Sequence, residues 1–385
     1  MTIQQLFNQD PAVIASRKIP HRPILLMSRI RLARNLEGFA FPGWSDARQR
    51  KQVYEICRDA IADAPQFNPS VHFSIGSLDE TERQFLVERH LISRELCEGM
   101  TGSGVTINDN QDAAIMINEE DHLRIQVMSP KQGFDALWTL SDAIDNELEK
   151  RMDYAFRDHF GYLTACPTNL GTGMRASAMM HLPALVMTKQ MERVIRAVNQ
   201  LGIVARGSFG ESSDPSGSIF QISNQQTLGE SELEIIHRLN NVITTMVEQE
   251  HKARIRLFEQ EGNLVIDRIF RAYGILKYCN LLSSGEAMNL LSMLRFASDI
   301  GMLPEVSRPQ IDQMFMDVQP AHLQFCCGDR LDSDQRDVMR AEKLRAVLQS
   351  LPEPDPANID FSKGWNPKDG ESSQSSDRVK PDNLE

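Results

Sequence analysis

Apolar residues recur along this chain in two rhythms, and the change from one to the other divides it. From Ile24 to about His251, short apolar runs of strand length are mixed with helix-like stretches, which predicts an α+β class. Runs over 71–75, 113–117, 123–128, 203–206 and 218–222 predict strands. Phe134, Leu137, Trp138, Ile144, Leu148, Met152 and Phe156 fall at helical spacing and predict one long amphipathic helix with these residues in the core. After Gly262 only helical periodicity remains: a helix over 264–281, one opened by Ser283 with Glu286 at capping-box spacing, and one starting near Pro309. From Pro352 onward the chain is rich in Pro, Ser, Asp and Lys and cannot offset its ordering entropy, so a disordered tail is expected. The organisation predicted is an arm over 1–21, an α+β domain over 22–255, a small all-α domain over 256–351 and a tail over 352–385.

Composition narrows the function classes. A chain of 385 residues, 41% hydrophobic, can bury a large core, and its formal charge of -12 argues against a broad basic face for nucleic acid or anionic lipid. Any anion site must then be a local concentration of arginine. No signal-like leader and no run of about 18 apolar residues appears, so a cytoplasmic protein is expected. Cys57, Cys97, Cys166, Cys279, Cys326 and Cys327 lack the paired spacing of zinc sites or disulfide frameworks and are expected to be reduced thiols, and no metal site of protein side chains is identified.

Four segments concentrate the candidate chemistry: SRIRLARN from Ser28, NEEDHLRIQ from Asn118, CPTNLGTGMRAS from Cys166 and RGSFGESSD from Arg206. They supply Arg29, Arg31, Arg124, Arg175 and Arg206. On a strand Arg29 and Arg31 project from one face and can grip neighbouring phosphate oxygens, although one such pair alone is more often a solvated face. The glycines before Met174 and Arg175 permit a tight turn that could present amides and an arginine to an anion. No Walker loop and no GxGxxG is present, so arginines would carry a nucleotide's charge. In an extended NEEDHLR segment Glu120, His122 and Arg124 would share one face, with Glu119 and Asp121 on the other. Glu211 sits in a Gly- and Ser-rich loop between two strands, the kind of place where function is commonly carried.

Such parts suit phosphoryl transfer to a guanidinium. That group is a poor nucleophile with a pKa above about 12, so it must be oriented and relieved of a proton. Two carboxylates such as Glu120 and Glu211 can hold its planar fork and one can take the proton, while arginines and Mg²⁺ neutralise the transferring phosphoryl group. Cys166 before Pro167 could help align it, though a lone cysteine is more often packing.

At these segments, and at LPALVMTKQ and IFQISNQ, the sequence closely resembles the phosphagen kinase (ATP:guanido phosphotransferase) family, most of all its bacterial branch of protein arginine kinases. The resemblance runs from about Ser28 to about Glu250 and more loosely to about Leu348. It implies a catalytic domain built on an antiparallel sheet flanked by helices, with a small all-α C-terminal domain. Its catalytic residues fall on Glu120, Glu211 and Cys166. Its ATP site falls on Ser28, Arg29, Ile30, Arg31, His90, Arg124, Arg175, Ala176, Ser177, Ala178, Met179, Arg206, Gly207, Ser208, Phe209 and Gly210. RDVMRA resembles the branch's allosteric phosphoarginine motif and places that pocket on Arg336, Asp337, Arg340 and Ala341, where helical spacing puts the two arginines on one face. The resemblance further implies ATP and Mg²⁺, protein substrates carrying arginine, a homodimer, a McsA-like zinc-binding activator and Clp protease components. Departures are Met27 where a serine is usual, the loop SSDPSGS after Glu211, and the acidic tail. A kinase for free arginine or another small guanidine, and a catalytically silent phosphoarginine-binding adaptor, are the alternatives.

Overall fold

The computed structural model describes residues 2–9, 11, 24–99, 101–130, 133–207, 216–303, 306, 308–328 and 330–362. Ten strands and twelve α-helices are assigned among them. The strands are β1 (Leu25–Arg34), β2 (Ser70–Ser74), β3 (Gly104–Asn108), β4 (Ala113–Ile117), β5 (Leu123–Ser129), β6 (Phe156–Arg157), β7 (Gly161–Tyr162), β8 (Met174–His181), β9 (Ile203–Gly207) and β10 (Ile219–Asn224). The helices are α1 (Ile3–Phe7), α2 (Ala47–Ala62), α3 (Glu80–Glu88), α4 (Arg94–Glu98), α5 (Phe134–Glu149), α6 (Pro183–Met187), α7 (Met191–Asn199), α8 (Glu232–Tyr278), α9 (Ser284–Asp299), α10 (Arg308–Asp317), α11 (Pro320–Cys327) and α12 (Ser333–Gln349).

Eight strands form one sheet in the order β2-β3-β4-β5-β1-β8-β10-β9, every neighbour antiparallel. Its two faces differ in chemistry because side chains alternate along each strand. Ser28, Ile30, Leu32 and Arg34 look to one side, where α5 packs and Asp145 meets Arg34 at 2.6 Å. Arg29 and Arg31 look to the other. Register extends that second face across the sheet: Arg31 lies opposite Arg175 on β8, and Ala33 opposite Arg124 on β5. Gln221 on β10 lies opposite Met179 on one side and Arg206 of β9 on the other. One face is therefore buried under helices, and the other collects guanidinium groups.

The predicted strands are all present. The stretches that the hydrophobic pattern passed over are β1, β3 and β8, the last built largely of small residues and methionine, and the two-residue strands β6 and β7. The helix expected to run through Phe156 stops at Glu149 with Lys150 as C-cap; Met152 follows in a turn, and Phe156 lies exposed in the β6–β7 hairpin. Its apolar spacing continued, but the chain turns back to hydrogen-bond Ala155 N to Asn35 O.

The helices after the sheet are not separate from it in sequence. α8 begins on the sheet side, against β8, β10 and α6, and continues to Tyr278 against α9 and α12, broken at Glu261 by non-helical backbone. The helix expected over 264–281 is thus the second half of a longer one. Ser283 caps α9 as anticipated, its side chain accepting from Glu286 N. Residues 352–362 differ from the disordered segment expected there. Asp355 N donates to Met302 O, Asp360 N donates to Ile300 O, and Phe361 meets Phe258 edge-on, which gives this stretch partners its composition did not advertise. The remainder of the tail and most of the expected arm lie outside the described residues; α1 of that arm rests on α3, where Arg89 donates to the carbonyls of Leu6 and Phe7.

Candidate active site

The guanidinium-bearing face of the sheet floors a cleft made of two joined cavities. One, of about 790 Å³, is lined by Arg31, Glu95, Glu119, Glu120, Arg124, Cys166, Arg175 and Arg206 among others. The second, of about 580 Å³, shares Arg31, Glu95, Arg206 and Gln221 with it and adds Arg29 and His90. Five arginines far apart in sequence are brought together by strand register alone.

Three of these arginines, Arg29, Arg31 and Arg175, are poorly paired. Arg29 donates from Nη2 to Gln221 at 2.9 Å, yet among the described residues its Nε and that of Arg31 are buried without a hydrogen-bond partner. Burial, with Arg124 and Arg175 adding repulsion, lowers the Arg29 pKa to about 10. Burial followed by Arg29, Arg124 and Arg175 pushes Arg31 well below its ordinary value, with Glu119 pulling the other way. Arg175 is lowered by burial, then by Arg206 and Arg124. Buried donors that repel one another are costly unless an anion completes them, and a polyphosphate supplies many acceptor oxygens in a row. The residues present therefore fit a nucleoside triphosphate.

His90 follows α3 in left-handed backbone, φ 60°, and its imidazole reaches the cleft. Burial and then Arg29 lower its pKa to about 4, so it stays neutral beside the arginines.

The acidic end is built differently from the extended segment expected. Residues 118–122 are the turn of the β4–β5 hairpin, which Asn118 enters with φ 53° while its Nδ2 donates to Arg50 O and Gly102 O. His122 is consequently turned inward, receiving Leu36 N at Nδ1 and meeting Ala40 O through Nε2, and does not share a face with Glu120 and Arg124. Glu119, which the alternation had placed on the opposite face, holds Arg124 at 2.6 Å and accepts from Ser93. Glu120 bonds Arg124 more loosely, at 3.3 Å; its side chain is 41% exposed and lines the cavity. Burial raises the Glu120 pKa, Arg124 opposing it, which favours a carboxylate that can accept a proton. Cys166 lies on the same cavity wall, its Sγ 3.0 Å from Thr168 Oγ1.

The glycine turn also departs from expectation. Gly171 and Gly173 have φ of +109° and +64°, and a Cβ on Gly173 would meet Ala33 O at 2.6 Å. The close approach ties the turn to its neighbours: Thr172 N donates to Thr227 O and Met174 N to Thr172 Oγ1. Those amides are spent internally, so the segment delivers Arg175 rather than a cradle of amides.

Several residues of the expected nucleotide set do not offer side chains to the cleft. Ser28, Ile30, Ala176 and Ala178 point to the helix-covered face by strand alternation and are buried there. Ser177 and Met179 are on the arginine face, and Gly207 borders the second cavity. Ser208, Phe209, Gly210 and Glu211 lie outside the described residues. Glu95, Glu119 and Gln221 were not among the expected site residues: Glu119 had been placed on the face opposite Glu120, Glu95 lies five residues beyond His90, and Gln221 was legible only as the strand position two residues from Ile219. Among the described residues no group of three or more His, Cys, Asp or Glu is placed to hold a metal ion, all six cysteines are free thiols, and no helix is long and apolar enough to cross a membrane.

The distant motif is also rearranged. Arg340 is buried, donating from Nε to Val318 O at 2.9 Å and from Nη1 to Leu282 O at 2.6 Å and to Asp337, while Arg336 donates to Leu331 O. The two do not form an open pair on one solvated face, because Arg340 is drawn in by carbonyls at neighbouring helix ends; Ala341 is wholly buried.

The model of the ATP:guanido phosphotransferase C-terminal catalytic domain matches residues 52–253, and that of the protein-arginine kinase McsB C-terminal domain matches 262–359. A protein-arginine kinase of Halalkalibacterium halodurans is 42% identical over 352 residues, 91% of this chain and 98% of that one. One of Halothermothrix orenii is 40% identical over 349 residues, 90% and 99% of the two chains. Among solved structures, a lombricine kinase superposes with a TM-score of 0.54 at 24% identity, over 64% of this chain and 72% of that one. The substrate-free duplicated taurocyamine kinase of Schistosoma mansoni gives 0.51 at 26% identity over 60% of this chain, which spans only 34% of that one.

Proposed function

The chain belongs to the ATP:guanido phosphotransferase family and to its protein-arginine kinase branch, and from the cleft we infer that it phosphorylates arginine side chains of proteins with ATP. The observation that carries the inference is the set of buried, mutually repelling arginines, Arg29, Arg31 and Arg175, ending at a partly exposed Glu120 beside Cys166.

In this reading Arg29, Arg31, Arg124, Arg175 and Arg206 grip the triphosphate, where positioning and charge do most of the catalysis. Glu119 fixes Arg124. Glu120 receives the guanidinium fork and aligns one terminal nitrogen with the γ-phosphorus, with Glu211 as its partner carboxylate. One of the two takes the proton that this nitrogen loses as the N–P bond forms and the terminal P–O bond breaks, releasing ADP. Cys166 lies where it can steady the substrate fork. Mg²⁺, when bound, offsets phosphate charge, with the nucleotide's own oxygens as its natural ligands.

The product, a protein phosphoarginine, suits a mark read by Clp-type degradation components in the cytoplasm, with a McsA-like activator and a homodimer as the branch would imply. At RDVMRA, Arg336 and Asp337 are the partly exposed members that would meet a phosphoarginine, while Arg340 organises the helix ends behind them.

Incubation with ATP, Mg²⁺ and an arginine-rich protein gives acid-labile label on arginine and little turnover on free arginine. Label confined to serine and threonine contradicts the assignment, and preference for free arginine favours a small-guanidine kinase. Glu120→Gln abolishes ATP turnover while leaving phosphoarginine binding intact; unchanged turnover removes Glu120 from the mechanism.

A further inference from the structure

Three consecutive residues at the end of α3 serve three different parts of the molecule. Glu88 is buried against the C-terminal helices, its carboxylate accepting from Ala321 N at 2.9 Å, His322 N at 3.2 Å and His322 Nδ1 at 2.8 Å. Arg89, also buried, holds the N-terminal arm: its Nη1 donates to Leu6 O and its Nη2 to Phe7 O, each at 2.9 Å, at the end of α1 where helix carbonyls are left open. His90 lines the cleft beside Arg29. The arm and α11 also meet each other, since the Phe7 ring lies 5.5 Å from that of Phe325 and 5.8 Å from that of Phe85 on α3.

His90 needs such neighbours. It follows the C-cap Arg89 with φ 60°, at the helix end where glycine adopts left-handed backbone without steric cost and histidine does not. A residue in that conformation persists when its surroundings over-determine it. From the sheet side Gln126 Nε2 donates to His90 O at 2.7 Å. From the other side Glu88 and Arg89 anchor the two residues before it. We propose that Glu88 and Arg89 are positioning residues for the cleft: α11 through Glu88, and the arm through Arg89, hold the end of α3 so that His90 stays on the cleft wall. The proposal rests on the assignment of the cleft to ATP. Neither residue lines the cavity that holds Glu120 and Cys166. Loosening either therefore reduces the fraction of molecules ready to bind ATP, and weakens binding by that fraction without slowing phosphoryl transfer once ATP is bound. Linkage requires the reverse as well, so ATP in the cleft tightens the arm.

Substitutions outside the cleft, in the full chain, test this. Phe7→Ala loosens the arm and is expected to raise the KM for ATP about tenfold, as a competent fraction of about one tenth would, with kcat and the KM for protein arginine held within about twofold. His322→Ala removes one of the donors to Glu88 and is expected to raise the KM for ATP about threefold. His322→Asn, whose amide nitrogen falls where Nδ1 was, is expected to restore it. In the unaltered chain, saturating ATP is expected to slow hydrogen exchange at the Leu6 and Asn8 amides, which donate to Thr2 O and Gln4 O. Lower stability of the variants with every kinetic constant unchanged makes the joint structural alone and overturns the proposal. So does a rise in both KM values with a fall in kcat, which is loss of fold, or exchange in α1 that ATP leaves untouched. If the unaltered chain turns over no ATP, the functional reading is what fails. The joint is then judged by the His90 imidazole resonance, which is expected to shift in Phe7→Ala and overturns the positioning role if it stays in place.

Discussion

Two clusters of buried arginine in this molecule are settled in opposite ways. At the junction of α8, α9 and α10, Arg254 donates to Glu250 at 2.9 Å and to Asp299 at 3.3 Å, Arg308 also binds Asp299, and Arg295 binds Asp312 at 2.8 Å. Burial opposes the charge on Asp299, but Arg308, Arg295 and Arg254 outweigh it and hold its pKa below the usual carboxylate range. On the sheet, Arg29, Arg31 and Arg175 have all been lowered by burial and by one another. The first cluster carries its own anions and is finished when the chain folds. Among the described residues Arg29, Arg31 and Arg175 form no ion pair, although Glu119 and Glu120 pair Arg124 beside them, and the missing charge is the signature of a ligand. Burial of arginine therefore does not by itself mark a site; what marks it is the absence of acidic partners.

The sharpest way to break the contrast is to remove one guanidinium from each cluster's logic. Arg31→Ala is expected to lower kcat on protein arginine by about 10³–10⁵-fold, the range for an arginine that faces a transferring phosphoryl group. Without ligand the same change should leave the unfolding midpoint unchanged or raised, since it relieves repulsion. A midpoint several degrees lower would mean that Arg31 is structural. Steady-state kinetics and thermal unfolding of one preparation decide it.

The junction cluster should respond in the reverse sense. Asp299→Asn strips charge from between Arg254 and Arg308 and leaves both buried, and breaking such a group costs about 3–5 kcal/mol. Urea unfolding should show that loss. A cost below about 1 kcal/mol would show that the cluster is not closed as the hydrogen bonds indicate.

How much of this was legible beforehand follows from what each residue's neighbours are. The wholly apolar run that became β4 declared itself, because a strand buried on both faces needs no alternation. β8 did not, since small residues carry little periodic signal. Arg29 and Arg31 could be placed on one face by spacing alone, but that Arg175 joins them depends on β1 lying beside β8, a long-range pairing invisible in local pattern. The reading of residues 118–122 as extended failed because a hairpin turn reverses the rule of alternation. Arg340 looked like one of an exposed pair because helical spacing says nothing of which carbonyls wait beside the helix.

A gentler probe uses a histidine from each cluster. His90 is held neutral by burial and Arg29, with a pKa of about 4, and His181 is lowered well below 6.5 by burial and then Arg295, Arg254 and Arg308. For a depressed histidine the unfolded chain takes the proton first, so stability present above pH 6.5 or so is lost as pH falls toward the folded value. Saturating tripolyphosphate should move the His90 titration upward from about 4, because phosphate charge offsets Arg29, and should leave His181 where it is. Imidazole resonances followed by NMR through pH 7 to 4 report both. Movement of His181 alone would place the anion at the wrong cluster.

The smallest effect expected concerns a third arrangement, in which arginine is paired but wet. Arg330 meets Glu80 of α3 at 3.4 Å with both side chains more than four-fifths exposed. It crosses the same boundary that Glu88 crosses when its carboxylate accepts from Ala321 N, His322 N and His322 Nδ1, all buried. The two contacts join α3 to the C-terminal helices, yet only Glu88 is removed from water. Water and counterions compete for Arg330, so Arg330→Ala should change stability by no more than about 0.5 kcal/mol, and less in high salt. Glu88→Gln should cost more at every salt concentration, since it removes charge from hydrogen bonds that water cannot replace. Equal costs for the two variants would mean that exposure does not govern what an ion pair contributes here, and would remove the ground for reading the unpaired sheet arginines as a ligand's place.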